Sequence, residues 1–279
     1  MLSTHDLRIC VAIPRTGSTT FMRVMAQNPA IGVTSRLILM GNMAARPADP
    51  SLPRPFEPDY RIFDSNHPIY QQAHDMGKRL IVSKEEFGND RRTGTPELNE
   101  CNFPMFRNEA DIIATEPAFI FADPVRTFDN WLSKGWSDVQ SFLLAYETHL
   151  NTFKKVSEIN PRTVFYTHEY MVQTKETQTR VFRKLCDRWG VDFDESMLEF
   201  KTQFGEEFLY ANKQEKRIYG SNPKGLFTTL QSSAGILSDI PPKGLITPDQ
   251  TQLITDRLMP EYLKIHQNAQ QDFELKRGR

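Results

Sequence analysis

The segment from Leu7 to Gln27 constrains the fold more than any other part of the chain. Leu7 to Ile13 is a short apolar run, rich in β-branched residues and closed by Pro14, which predicts a buried strand. PRTGSTT follows, and then Phe21, Met22, Val24 and Met25 are spaced to cover one face of a helix reaching Gln27. A strand, a glycine loop and a helix in that order leave unpaired backbone amides and the positive end of the helix dipole at the loop, where an anion binds readily. Gly17 lets the backbone approach a ligand. Thr16, Ser18, Thr19 and Thr20 offer amides and hydroxyls, and Arg15 offers a guanidinium fork to phosphate or sulfate oxygens. A turn with an ordinary N-cap accounts for the Ser and Thr residues too, so the loop by itself leaves both readings open.

The pattern after this unit repeats its type. Arg79 to Ser83 (RLIVS), Ala118 to Ala122 (AFIFA) and Thr163 to Thr167 (TVFYT) read as further buried strands. Between and after them lie helical stretches: Asn66 to Met76, a helix opened by Asp123-Pro124 and running through Leu132, Val139 to Val156, and Gln178 to Trp189 closed by Gly190. Alternating strands and helices predict an α/β fold in three layers, P-loop-like, with a mainly parallel sheet and helices on both faces. Ligands of such sheets collect beyond the carboxyl ends of the strands. That rule gathers Arg15 to Thr20, Lys84 to Glu86 and Asp123 to Asn130 around one crevice. The five prolines between Arg46 and Pro58 predict a loop, and the irregular stretch at about 200–240, with GSNPKG and SSAG, predicts a lid. Residues 1–279 are expected to form a single domain.

Composition narrows the function. A net charge of -1, from 34 basic and 35 acidic residues, gives no broad footprint for nucleic acid or an anionic membrane, so any anion must be held locally. The three cysteines, Cys10, Cys101 and Cys186, have neither zinc-type nor disulfide spacing and read as reduced core thiols. MLSTHDLR lacks a secretory apolar run, and no stretch has the length of about 20 apolar residues that spans a bilayer, so a cytoplasmic enzyme is expected. The six histidines show no metal-ligand spacing, and no metal is expected. No pattern fixes an oligomeric state.

The loop lacks the early glycine and the lysine of GxxxxGK[ST], and no GxGxxG occurs. VAIPRTGSTTFMR resembles instead the 5'-phosphosulfate loop of the sulfotransferases, whose pattern is PKSGTT or PRSGS followed by a helix. FADPVRTFDNWLS is similar to the segment of that family, RDPxxxxxS, that binds the 3'-phosphate of the nucleotide PAPS. VFYTHEYMVQTKETQTRVFRKLCDRWGVDFD resembles the later strand, turn and helix, so the likeness spans residues 7 to 195. The resemblance implies PAPS as sulfuryl donor and PAP as product, with a hydroxyl or amine of a small-molecule acceptor, of secondary metabolism, receiving the group.

The resemblance places the family arginine on Ala122 and the family serine on Asn130. Arg126, one helical turn further, then offers a charge to the phosphate, with Asn130 and Ser133 as hydrogen-bond donors. Arg15 would hold the bridging and phosphate oxygens. The family takes its base from after the second strand, where this chain has SKEEF. Glu85 is the first choice, Glu86 the second, and Lys84 a charge partner for the sulfate. His67 and His168 are weaker candidates. Lys213, Lys216, Arg217 and Lys224 around Gly220 and Gly225 are compared with the family's late basic loop, and Phe56, Tyr60, Phe63, Tyr70, Phe87 and Phe227 with an acceptor pocket. Two rival readings stay open: an enzyme of the same fold that has left simple sulfation for elimination, dehydration or PAPS-independent chemistry, and a non-catalytic anion-binding module.

Overall fold

Five strands form one sheet in the order β2-β3-β1-β4-β5, and every neighbouring pair is parallel. The computed structural model describes residues 2–40, 56–88, 97–201, 208–210, 233–237 and 241–274. The strands are β1 (Leu7–Ala12), β2 (Ile31–Ser35), β3 (Leu80–Glu86), β4 (Ala118–Phe121) and β5 (Val164–Thr167). Around them lie α1 (Ser18–Ala26), α2 (Leu37–Met40), α3 (Pro68–Asp75), α4 (Glu109–Thr115), α5 (Pro124–Leu132), α6 (Val139–Ile159), α7 (His168–Met171), α8 (Lys175–Trp189) and α9 (Pro248–Glu274). Most of the expected lid, with Lys213, Lys216, Arg217, Gly220, Lys224, Gly225 and Phe227, lies outside the described residues, as do positions 46–55 of the proline-rich loop.

Because side chains alternate along a strand, each strand divides between two cores. Leu7, Ile9, Val11, Phe119 and Phe121 face one layer, with α3, α5, α6 and most of α9. Cys10, Ala12, Val82, Ile120 and Tyr166 face the other, with α1, α7 and α8. This is the three-layer, P-loop-like α/β fold. All three cysteines are unbridged and buried, matching their reading as core thiols. Among the described residues no helix is long and apolar enough to cross a membrane.

β2, α9 and the short helices α2, α4 and α7 are absent from the pattern read above. β2 is short and contains Gly32, where a side chain would meet Leu209 Cδ1 at 2.4 Å, so close packing rather than turn formation requires the glycine. α9 contains Pro260, a residue that argues against a helix interior, yet Ile254, Leu258, Tyr262, Ile265, Ala269 and Phe273 form a buried stripe at intervals of three and four. α9 packs on α5, α6 and the edge strand β5, and Thr167 Oγ1 lies 2.7 Å from His266 Nδ1.

His149 of α6 is fully enclosed among Phe87, Phe119 and Phe121, with Nε2 3.1 Å from the Ile120 carbonyl. Burial drives its pKa down to about 3, against the opposing backbone hydrogen bond at Ile120. The unfolded chain therefore binds a proton at this histidine near pH 6.5 that the folded protein refuses, and stability present above that pH is lost as pH falls toward 3. From pH 6.5 to pH 5 the group should remove about 2 kcal/mol, measured by urea unfolding, and His149→Phe should flatten that part of the profile.

Candidate anion and transfer site

The chain leaves β1 at Ala12 and turns through two left-handed residues, Arg15 (φ 76°) and Gly17 (φ 86°), before α1 begins. Positive φ is uncommon outside glycine, and Arg15 is held there by its surroundings. The Trp131 indole donates to the Pro14 carbonyl at 2.8 Å, and Thr16 Oγ1 donates to the Ile13 carbonyl at 2.8 Å. Thr16 is thereby a brace of the loop, with its hydroxyl turned inward. Gly17 is the N-cap and supplies no side-chain acceptor, so the first amides of α1, at Ser18, Thr19 and Thr20, have no cap from that residue.

Arg15 lies at this helix terminus with its Nε enclosed and without a hydrogen-bond partner among the described residues. Burial lowers its pKa while the charge of Glu86 opposes the shift. An arginine keeps its charge in such a place, so a buried donor awaits an acceptor. Beside it stands a cation that the sequence pattern did not mark. The half-buried Lys134, just beyond α5, has its pKa lowered by burial and then by the charges of Arg15 and Lys243. Repulsion between Lys134 and Arg15 beside the head of α1 is relieved by an anion.

The end of β3 divides its charges between the two faces of the sheet. Lys84 and Glu86 point toward α1, and Glu85 points away. Glu86, 4% exposed, accepts from Ser18 Oγ at 2.6 Å, lies 3.0 Å from Lys84 Nζ, and has Arg36 Nε at 3.5 Å. Burial works to raise its pKa, but the charges of Lys84 and Arg36 and the Ser18 hydroxyl hold the carboxyl below the ordinary range. Glu85 is fully buried and accepts from the Leu37 and Ile38 amides at 2.9 and 3.1 Å and from Ser83 Oγ at 2.6 Å. Its carboxylate anchors the start of α2, and the structure brings Glu86, not Glu85, to the loop.

On α5, Asp123 caps the helix by accepting from the Arg126 amide at 3.0 Å. Arg126 Nη1 is 3.9 Å from Glu169 Oε1, which also accepts from the Asp123 amide at 3.0 Å, while Tyr262 donates to Glu169 Oε2 at 2.8 Å. Arg126 thus belongs to a polar cluster joining α5, α7 and α9. Asn130 is half-buried, and Ser133, exposed, donates its hydroxyl to the Asn130 carbonyl at 2.7 Å. Ala122 is buried, with its carbonyl bonded by the Tyr146 hydroxyl at 2.7 Å.

His168 enters the site by packing. A β-carbon on Gly17 would stand 2.4 Å from its Nδ1. His67 instead caps α3, accepting from the Ile69 amide at 3.2 Å. Phe56, Phe63, Tyr70 and Phe87 are buried in the core, Phe56 and Phe87 both against Phe103 with ring centroids 5.2 and 5.0 Å apart. Packing therefore accounts for these rings. A cavity of about 580 Å³ lies elsewhere, between α8, the start of β5 and the end of α9. Of its five cations Arg180, Lys184 and Arg188 are already paired with Glu176, Asp272 and Glu116.

No family model and no curated protein matches the chain. Among solved structures it is similar to the sulfotransferase domain of the olefin synthase from Synechococcus PCC 7002, at 16% identity and a TM-score of 0.47, over 92% of this chain and 94% of that one. It is also similar to mouse sulfotransferase SULT7A1 complexed with PAP, at 13% identity and a TM-score of 0.44, over 93% and 89% of the two chains.

Gly17→Ala tests the loop as built. The added methyl meets His168 and the residue must keep φ near 86°. The variant should lose pyrophosphate binding in calorimetry and about 1–3 kcal/mol of stability.

Proposed function

We propose that this protein is a cytoplasmic sulfotransferase-like enzyme that moves a sulfuryl group from PAPS to a hydroxyl or amine of a small molecule, in secondary metabolism. The observation that carries this reading is the enclosed, unpartnered Nε of Arg15 at the head of α1, with Lys134 in electrostatic reach. Such a site suits a phosphosulfate, whose transfer leaves negative charge on the departing phosphate oxygen. The α1 amides and Arg15 receive the anionic oxygens, while the Ser18 hydroxyl stays on Glu86. Lys84 neutralises the moving group. Glu86 takes the proton of the acceptor as the new bond to sulfur forms and the bond from sulfur to the phosphate oxygen breaks. Arg15 meets the electron pair that leaves with that oxygen.

One observation favours a second reading. Ala122 is buried and Arg126 faces Glu169. A donor without a 3'-phosphate would need neither Ala122 replaced nor Arg126 released, as in a same-fold enzyme that no longer uses PAPS.

Calorimetric titration with PAP beside ADP and AMP separates the two. Micromolar PAP binding, roughly -8 kcal/mol, with much weaker AMP binding supports PAPS as donor, whereas equal affinities turn the assignment to another donor. Arg15→Ala should weaken PAP by about tenfold or more. With an acceptor in hand, Glu86→Gln should lower kcat by about a hundredfold or more with PAP affinity nearly kept. Glu85→Gln should instead cost about 1–3 kcal/mol in denaturant unfolding and spare turnover of the folded fraction.

A further inference from the structure

The C-terminal half of α5 carries a buried carboxylate that the proposed chemistry does not use. Asp129 is 1% exposed, and its two oxygens accept from four successive backbone amides. Oδ2 takes those of Lys243 and Gly244, the second at 3.2 Å, and Oδ1 takes those of Leu245 at 2.6 Å and Ile246 at 3.3 Å. Gly244 is left-handed, at φ 71°, which curls the segment so that its amides converge.

Position gives this clasp a consequence beyond anchoring α9. Two residues along the same helix, Trp131 holds the Pro14 carbonyl of the anion loop, and Lys134 stands just past the helix end. One short helix therefore grips the loop with one side chain and the 243–246 segment with another. The side chain brought in by that segment is Lys243, the cation that Lys134 feels together with Arg15. We propose that Asp129 is a positioning residue of the anion site, holding Lys243 beside Lys134 at the edge of the loop through the amides of residues 243–246. A carboxylate whose oxygens are occupied by main-chain donors fixes a neighbouring lysine without forming a salt bridge to it, leaving the ammonium to the ligand.

This inference rests on the reading of the loop as an anion site, and the test separates the two. Inorganic pyrophosphate and PAP are titrated into the wild-type protein, Asp129→Asn, Asp129→Glu, Lys243→Ala and the Asp129→Asn/Lys243→Ala double variant. The expected result is a loss of about tenfold in pyrophosphate affinity for Asp129→Asn and for Lys243→Ala, with no further loss in the double variant and partial recovery in Asp129→Glu. Asparagine offers one acceptor oxygen where four donors need two. The Asp129→Asn and Lys243→Ala proteins should also share the same reduced salt dependence of binding, which a general loss of stability would not produce.

Wild-type pyrophosphate affinity in Asp129→Asn, or losses that add in the double variant, would overturn the proposal. Pyrophosphate needs only the loop and its cations, so a wild-type protein that binds it without preferring PAP over AMP sinks the PAPS reading and leaves the Asp129 comparison decisive. A wild-type protein that binds no pyrophosphate overturns both. Should Asp129→Asn not fold, Leu245→Pro removes one of the four amides while keeping the carboxylate and Lys243, and an affinity equal to wild type there overturns the proposal as well.

Discussion

The hydrogen bond from the Trp131 indole to the Pro14 carbonyl ties the anion loop to a helix that is distant in sequence, and the rest of the site is arranged around that tie. A loop that runs left-handed at Arg15 and again at Gly17 is not a conformation that an isolated strand-turn-helix segment keeps unaided. It persists because the loop is fixed from several sides. Trp131 takes the outgoing carbonyl, Thr16 reaches back to Ile13, Ser18 reaches Glu86, and His168 fills the space that a side chain at Gly17 would need. The contacts from outside the loop come from the end of β3 and from the helices that follow β4 and β5, so the loop geometry is a product of several strands of the sheet.

The alternation of strand side chains decides which charges serve the site. Lys84 and Glu86 share a face with Cys10 and Ala12 because β1 and β3 run in parallel with Cys10 opposite Lys84 and Ala12 opposite Glu86. Glu85, between them, is sent to the other core, where an ionised carboxylate is tolerable only with donors around it, and the α2 amides supply them. A shift of one residue in the pairing of β3 would exchange these roles. The preference for Glu85 over Glu86 in the sequence reading followed position after the strand. The register that separates the two glutamates is a property of strand pairing, which a single sequence does not display.

Much of the fold was legible because its signals are local. The strand, glycine loop and helix at the start, the Asp123-Pro124 helix opening and the Gly190 stop depend on short-range sterics and capping, and each stands where its residues place it. β2 was not legible, since Gly32 is dictated by Leu209, which lies far along the chain. In α9 the apolar stripe was present in the sequence, and Pro260 masked it. Lys134 and Lys243 escaped notice for a different reason. Neither sits in a motif, and Lys243 comes near Lys134, and Lys134 near Arg15, only in the folded chain, with the segment before α9 held against α5.

The same view explains how a chain with a net charge of -1 can prepare a cationic site. Elsewhere in the described structure many arginines and lysines are spent on carboxylates: Arg107 on Asp64 and Asp111, Arg188 on Glu116, Lys184 on Asp272, Arg126 on Glu169. Near the loop Glu86 is paired in the same way with Lys84 and Arg36, but three other carboxylates are engaged otherwise. Glu85 is committed to α2 amides, Asp129 to the 243–246 amides and Asp123 to the first turn of α5. Main-chain donors stabilise these acids without drawing in a cation, and Glu86 is the acid that bears on Arg15's charge, while Arg15 and Lys243 both bear on Lys134. Local allocation of hydrogen bonds, and not overall charge, is what makes an anion site in a nearly neutral protein.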